Sequence, residues 1–337
     1  MLSAKLRNLI ADPDLALDLG TASTRIFAAG LGLVVDEPTK VRLSEAPPDG
    51  PGDGPTRRPG QEADGCWATP VKAGVVTDLP ATVEMLRPLL SRTRRFGLFR
   101  PRVLACAPAA ATDEERQALR EALRLAGAAA VSIIPETRAA AIGAGFDLSL
   151  PYAQMLADIG DGVTEVAVLR SGEVVRQASI RVACSDLKDA IRATVLAHHG
   201  VTLFGTEAER LMKAVGIRNG TDKTGTLMAI GAAPDSGATR RIRVERQDVA
   251  QAMSPVIGEI VSVIRSVLLA LPAGIACEVI ESGLCLTGGG ACLGGMSAKL
   301  AQETSLDVRT AANPVYAVIN GAGEILSLAT RNAHWSS

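Results

Sequence analysis

With 337 residues the chain has room for about two domains, each with its own core. Lys and Arg total 35 against 36 Asp and Glu, a net charge of −1, so no overall field draws it to nucleic acid or another polyanion. Hydrophobic residues make up 47% and charged residues 21%, a globular balance, and with 3% aromatic residues the core must be assembled from Ala, Val, Leu and Ile.

Met1 to Ala11 sets Leu2, Leu6, Leu9 and Ile10 on one helical stripe with Lys5 and Arg7 off it. Such a helix either packs on its own domain or lies as a cationic anchor on a membrane surface. Leu15 to Leu19 and Ser23 to Ala29, joined by Gly20-Thr21-Ala22, predict strand, tight turn and strand. From Ser44 to Gly65 the chain is rich in Pro, Gly, Asp and Glu around Arg57-Arg58, which predicts a flexible loop carrying a solvated arginine pair.

Arg102 to Ala107 reads as a strand, and Thr112 with Glu115 forms a capping-box signature for a helix ending at Gly127. Val131 to Ile134 is a further strand and Glu136 to Phe146 an Ala-rich helix. Met155 to Ile159, Thr164 to Leu169 and Glu173 to Ile180 form a meander, its last turn at Ser171-Gly172. Helices are expected at Leu187 to His199 and Thr206 to Ala214, then a Gly-rich stretch from Gly216 to Gly237. A long helix follows from about Gln247 to Leu271, which Pro255 should bend or break. Leu284 to Thr287 is a strand running into Gly288-Gly289-Gly290, and Asn313-Pro314 starts the last helix. Strands alternating with helices give an α/β class with helix-covered sheets.

Six cysteines show no C-x-x-C pair, and four lie in apolar runs; buried thiols in a reducing compartment account for them. No secretory h-region is present and no apolar run reaches the ~18 residues of a membrane span, so the chain is expected in the cytoplasm. His198, His199 and His334 have no metal-ligand spacing.

An internal echo carries the chemistry. Asp18-Leu19-Gly20-Thr21-Ala22-Ser23-Thr24 matches Asp158-Ile159-Gly160-Asp161-Gly162-Val163-Thr164, each copy ending one apolar strand and starting another. An aspartate closing a buried strand needs a cation or hydrogen-bond donors, and the following glycine lets backbone N–H groups approach an anion. Two such hairpins facing each other make a clamp for a magnesium polyphosphate, with Asp18 and Asp158 as single-ligand or outer-sphere carboxylates.

In these residues the sequence resembles the actin superfamily, and within it the MreB-type bacterial actins. Asp18 to Thr24 is similar to their first phosphate loop, Asp158 to Thr164 to the second, and Leu286 to Ala291 to the adenosine loop. The likeness continues through Glu37-Pro38, Lys72 to Val75, Pro101 to Val103, Ala139 to Gly145 and Asn313-Pro314. It implies an actin-like, two-lobed α/β ATPase fold of duplicated ribonuclease-H-like domains, with central mixed sheets flanked by helices. On that pattern residues 12–40, 70–150 and 315–337 form lobe I, and 41–69 a reduced, flexible replacement for its small subdomain. Residues 151–214 and 272–314 form lobe II, with 215–271 as its own small subdomain and 1–11 as an amphipathic segment.

The resemblance implies ATP and Mg²⁺ in the cleft. Asp18 and Asp158 would flank the metal, and Gly20, Thr21, Ala22, Ser23, Thr24, Gly160, Gly162 and Thr164 the phosphates. Gly288, Gly289 and Gly290 would lie against the nucleoside, and Glu209 and Lys213 would face ribose and adenine, where the bare sequence shows an i,i+4 surface pair. Glu136 falls on the catalytic acid that orients water. Filaments of the chain itself, or with a full-length paralogue, are implied under the inner face of the cell membrane. Wall-elongation membrane proteins are the implied further partners, and nucleic acid is not. Leu2, Leu6, Leu9 and Ile10, together with Phe96, Leu98 and Phe99 in an arginine-flanked loop, are the expected membrane contacts.

Departures from the family pattern bear on the switch. Asp161 and Val163 stand where the second loop carries Gly and Thr, Ala183-Cys184-Ser185 replaces Gly-Gly-Asp, and Pro135, Thr137 and Arg138 alter the setting of Glu136. These predict weakened hydrolysis or altered affinity. Arg25 is read either as an exposed strand residue or as a guanidinium gripping phosphate. Two alternatives stand beside the filament: a nucleotide-insensitive actin-fold membrane scaffold, and an actin-fold small-molecule kinase, for which no substrate-side aspartate signature is present.

Overall fold

The structure, a computed structural model, describes residues 14–42, 67–93, 100–217 and 225–335, with side chains through 328. β1 (Leu15–Leu19), β2 (Ser23–Ala28) and β3 (Gly32–Pro38) form an antiparallel meander. Short ladders follow, β4 (Val41–Arg42) with β5 (Trp67–Ala68) and β6 (Val71–Lys72) with β7 (Val75–Val76). α1 (Leu79–Arg92) is capped by Asp78, whose side chain accepts from Ala81 N at 3.0 Å. β8 (Arg102–Ala107) then pairs parallel with β1. α2 (Asp113–Ala126) opens on the predicted Thr112–Glu115 capping box and stops at left-handed Gly127. β9 (Ala130–Pro135) completes the sheet order β3-β2-β1-β8-β9, and α3 (Glu136–Gly143) follows it without a loop.

The plan then repeats. β10 (Gln154–Ile159), β11 (Thr164–Arg170) and β12 (Glu173–Ile180) make a second meander, turning at Ser171-Gly172 with both residues at positive φ. α4 (Cys184–His199) and α5 (Glu207–Val215) flank a three-stranded sheet of β13 (Thr202–Leu203), β14 (Thr226–Ala232) and β15 (Thr239–Glu245). α6 (Arg246–Leu269) and α7 (Ala273–Ser282) lead to β16 (Leu284–Thr287), parallel to β10. A 3-10 turn at Gly289–Cys292, α8 (Met296–Thr304) and β17 (Val308–Thr310) give the order β12-β11-β10-β16-β17. A 3-10 turn at Pro314–Tyr316 then starts α9 (Ala317–Trp335). The two five-stranded sheets match strand for strand, the three-dimensional form of the sequence echo.

Alternation along the central strands divides the apolar residues among three cores. Leu15, Leu17 and Leu19 enter the lobe I core while Ala16 faces the other way; Met155, Ala157 and Ile159 enter the lobe II core while Leu156 faces the other way. Ala16 and Leu156 meet between the sheets in a third core of small residues, including Cys106, Ala139, Ala140, Ala141, Ala167 and Cys285. α3 and α9 cross there at backbone contact. A Cβ on Gly143 would stand 1.9 Å from Ala317 O, and one on Gly321 1.8 Å from Ala139 O. This low-aromatic composition therefore permits a close helix crossing between the two sheets.

Several expectations are corrected. The Gly-rich stretch holds β14 and the turn of the β14–β15 hairpin: along β14 Thr226 and Met228 are exposed while Ala229 and Ala232 are buried, and the turn closes with Ala233 N on Ala238 O at 2.9 Å and Gly237 at φ 67°. α6 runs unbroken through Pro255, because Pro255 and Gln251 both face solvent while Val249, Met253, Ile257, Ile260 and Ile264 bury the other face. By length and apolarity alone α6 also qualifies as a membrane span, contrary to the sequence reading; its buried face belongs to the lobe II core. Cys106, Cys184 and Cys285 are buried free thiols, whereas Cys277 and Cys292 are exposed, being at helix and loop positions turned away from the core. The Met1 to Ala11 helix with Leu2, Leu6, Leu9 and Ile10, the loop from Ser44 to Gly65, and Phe96, Leu98 and Phe99 lie outside the described residues.

Candidate functional site

Asp18 and Asp158 sit near the C-terminal ends of the central strands β1 and β10, and each is only 7% exposed. The turn after each is closed the same way, Gly20 N donating to Ser23 O at 3.0 Å and Gly160 N to Val163 O at 2.9 Å. The turns meet across the interlobe cleft. A Cβ on Gly162 would lie 2.5 Å from Thr21 Oγ1 and 2.8 Å from Ala73 N, and Thr21 Oγ1 accepts from Gly74 N at 2.9 Å. Thr24 and Thr164, both fully buried, brace these turns from behind: Thr24 Oγ1 is 2.9 Å from Thr39 Oγ1, which donates to Gly20 O, and Thr164 Oγ1 donates to Val182 O. Ala22 joins through its carbonyl, which accepts from Thr39 N.

Gly288 and Gly290 lie against the second hairpin. Thr287 Oγ1 donates to Asp158 Oδ1 at 2.8 Å, and Gly288, at φ 80°, passes so close that a Cβ would stand 2.3 Å from Ile159 O. A Cβ on Gly290 would meet Ile159 Cγ2 at 2.3 Å, while Gly289 faces open space. Backbone approach of this kind is available to glycine alone.

Glu136 opens α3 at the edge of the same cleft and is 9% exposed. Burial, reinforced by Glu165, Asp18 and Asp158, pushes its carboxyl well above the ordinary range. Burial raises Asp158 as well, against the opposing Thr287 bond. It lifts Asp18 to about 6 even though Arg25 acts the other way. Glu165, which sequence reasoning missed, reaches about 8 for the same reason. It crosses from lobe II to accept from Ala109 N of lobe I at 2.7 Å. Four desolvated carboxylates are thus gathered around one cleft. Among the described residues, no three acidic, His or Cys side chains converge closely enough to hold a metal by themselves.

Two cations answer part of this charge. Arg25 is not an exposed strand residue: its side chain is 12% exposed and its Nη1 lies 3.5 Å from Asp18 Oδ2. Lys188, one turn into α4, donates to Asp161 Oδ1 at 2.6 Å and so neutralises the carboxylate that replaces a loop glycine. No sequence spacing signals this pair, since 27 residues and two whole strands separate its members. Asp186, which follows Ala183-Cys184-Ser185, accepts from Ala183 N at 2.8 Å and caps α4. Glu209 and Lys213 form the i,i+4 ion pair on α5, and Lys213 together with the nearby Lys188 holds the Glu209 carboxyl below its usual range. An open groove of about 670 Å³ between α6 and α8, lined by Met253, Ile257, Val261 and Lys299, shares no residue with the hairpins.

The sequence pattern of the family described as MreB/Mbl protein matches residues 12–334. The chain belongs to this family. The cell shape-determining protein MreB of Escherichia coli (strain K12) is 33% identical over 336 residues, covering 96% of each chain. The cell shape-determining protein Mbl of Bacillus subtilis (strain 168) is 31% identical, covering 93% of this chain and 95% of that one. Among solved structures, MreB 5 of Spiroplasma citri bound to AMPPNP superposes with a TM-score of 0.82 at 25% identity, over 97% of this chain and 99% of that one. MamK in a double helical filament matches with a TM-score of 0.72 at 14% identity over 92% and 98%, a likeness of fold. Membership in the MreB/Mbl family accounts for the duplicated sheets and the actin-like two-lobed fold.

Proposed function

We propose that the chain is an actin-like cytoskeletal protein that binds ATP between its lobes, forms or joins filaments, and helps to organise cell shape and wall synthesis. The observation that carries this reading is the meeting of two topologically equivalent Asp-x-Gly hairpins across the interlobe cleft, with the Gly288–Gly290 turn against the second. Family membership and the likeness to a nucleotide-bound MreB support it.

The residues present fit a magnesium nucleotide. Asp18 and Asp158 are desolvated acids that a cation would stabilise, and Mg²⁺ takes one or two carboxylates with water and phosphate completing its shell, so a three-ligand protein cage is not needed. The metal would supply charge neutralisation at the phosphates. Gly20, Thr21, Ala22, Ser23, Gly160 and Gly162 offer turn backbone to the phosphates, with Thr24 and Thr164 fixing its shape. Gly288, Gly289 and Gly290 leave room for the nucleoside, and Glu209 with Lys213 borders it. Glu136 would hold a water by accepting its proton once a cation in the cleft has lowered its pKa. The Leu2–Ile10 stripe and the Phe96–Phe99 loop would hold filaments at the inner membrane face, where wall-elongation membrane proteins are the matching partners.

Calorimetric titration with Mg-ATP, followed by sedimentation with and without nucleotide, tests the reading. Micromolar binding that Asp18→Ala weakens, together with ATP-dependent pelleting, is expected. Pelleting without any nucleotide response replaces the reading with that of a nucleotide-insensitive scaffold. Deleting residues 1–11 and replacing Phe96 and Phe99 with Ser should abolish flotation with anionic liposomes; unchanged flotation discards both anchors.

A further inference from the structure

The duplicated sheets allow the same rung to be compared in the two lobes. In lobe I the register places Asp18 opposite Arg25 and Arg25 opposite Asp36, across β1, β2 and β3. In lobe II the equivalent rung is Asp158, Glu165 and Ser179 across β10, β11 and β12. The position that is an acid in one lobe is therefore a guanidinium in the other, directly beside the aspartate of the first hairpin.

That guanidinium is held by three neighbours. Its Nε donates to Asp36 Oδ1 at 3.1 Å, its Nη1 lies 3.5 Å from Asp18 Oδ2, and its Cζ lies over the Tyr316 ring, 5.0 Å from the centre. Tyr316 in turn donates to Asp36 Oδ2 at 2.9 Å, so the stacking ring and the outer carboxylate are fixed to each other. Arginine carries five N–H donors in a rigid fork, and these contacts engage Nε and Nη1, leaving the Nη2 donors outside them. The contact to Asp18 is longer and looser than the one to Asp36, which is the geometry of a cation anchored on one side and shared on the other.

We infer that Arg25 is a built-in cation of the phosphate clamp. It shares Asp18 with the divalent ion and turns its free N–H groups to nucleotide phosphate, so that nucleotide binding by this chain survives the loss of divalent ions. The inference rests on the nucleotide-binding reading above. A guanidinium offers phosphate two parallel charge-assisted hydrogen bonds, and it does so without the bound water that a divalent ion keeps. The charge that ordinarily depends on the ion is in this chain partly covalent.

The test compares ATP and ADP affinity, by calorimetry, in excess Mg²⁺ and in EDTA, for the unmodified chain, Arg25→Leu and Arg25→Lys, with circular dichroism and thermal melts confirming that each folds. The unmodified chain should lose less than about tenfold on chelation, Arg25→Leu more than about a hundredfold, and Arg25→Lys an intermediate amount because the charge remains but the fork is lost. Equal loss on chelation for all three overturns the inference. So does an Arg25→Leu defect of the same size in Mg²⁺ and in EDTA, which would mark Arg25 as a brace of the β1–β3 rung. If Arg25→Leu does not fold, Arg25→Lys alone decides, through the same ratio. Absence of binding by the unmodified chain even in Mg²⁺ would instead bring down the nucleotide-binding reading and this inference with it.

Discussion

Replacing Lys188 with alanine removes the partner of the one carboxylate inserted into the second hairpin. The pair is short, 2.6 Å, and largely covered, its side chains 17% and 19% exposed. At an effective dielectric near 20 and a charge separation of ~4 Å the gross attraction is about 4 kcal/mol, and desolvation of both ions cancels much of it. A coupling of about 1–2 kcal/mol between the two side chains is left, between exposed and fully buried pairs. The nucleotide effect should be larger than the stability effect, because an unpaired Asp161 repels any phosphate that approaches the Gly160–Gly162 backbone. We expect Lys188→Ala to weaken Mg-ATP binding by about tenfold or more, equivalent to about 1.4 kcal/mol per factor of ten. Asp161→Asn in the same chain should restore most of it, since the repelling charge is then gone. The assay is a double-mutant cycle, with urea denaturation for stability and calorimetry for affinity. If Lys188→Ala with Asp161→Asn binds as weakly as Lys188→Ala alone, Lys188 does not act through Asp161 and the charge argument fails.

Gly143→Ala should destabilise the chain by about 2 kcal/mol or more, because its Cβ would stand 1.9 Å from Ala317 O and the α3–α9 crossing would have to open. Urea denaturation checks this, and a change under about 0.5 kcal/mol would show that the crossing yields freely. Stability should also fall as pH rises. Glu165 titrates near 8 in the fold against an ordinary 4.5, so the folded chain holds this proton more tightly than the unfolded one. Its contribution is complete below about 4.5 and is lost as pH rises through 8, with Asp18 adding a loss near 6. Urea midpoints measured in EDTA from pH 5 to 8.5 should trace that decline, and Glu165→Gln should flatten it; a midpoint rising with pH in both proteins would refute the assignment. Glu136→Gln should leave Mg-ATP binding within about threefold while abolishing phosphate release, whereas unchanged release would move the water-holding role elsewhere.

The hairpins were legible because their signal is local. Asp18-x-Gly20 and Asp158-x-Gly160 each sit between two apolar runs, and strand ends, tight turns and capping boxes such as Thr112–Glu115 are fixed by neighbours within a few residues. The duplication was legible for the same reason, as one local pattern written twice. The β14–β15 hairpin was hidden because its strands are half exposed and framed by glycines, and α6 was expected to be bent or broken because sequence places Pro255 in a helix without saying that its lost hydrogen bond faces water.

The chemistry of the cleft was decided by the tertiary structure. Asp161 reads as a defect until Lys188 is brought to it, Arg25 stays open between a surface residue and a phosphate-facing one until the register sets it beside Asp18 and under Tyr316, and Glu165 reads as an ordinary strand residue until it reaches Ala109 of the other lobe. Sequence alone determined which groups carry charge and which turns admit a phosphate. Which charges meet depends on strands and helices dozens of residues apart packing together, and the energy of a charge depends on what it meets and on how much water is left around it.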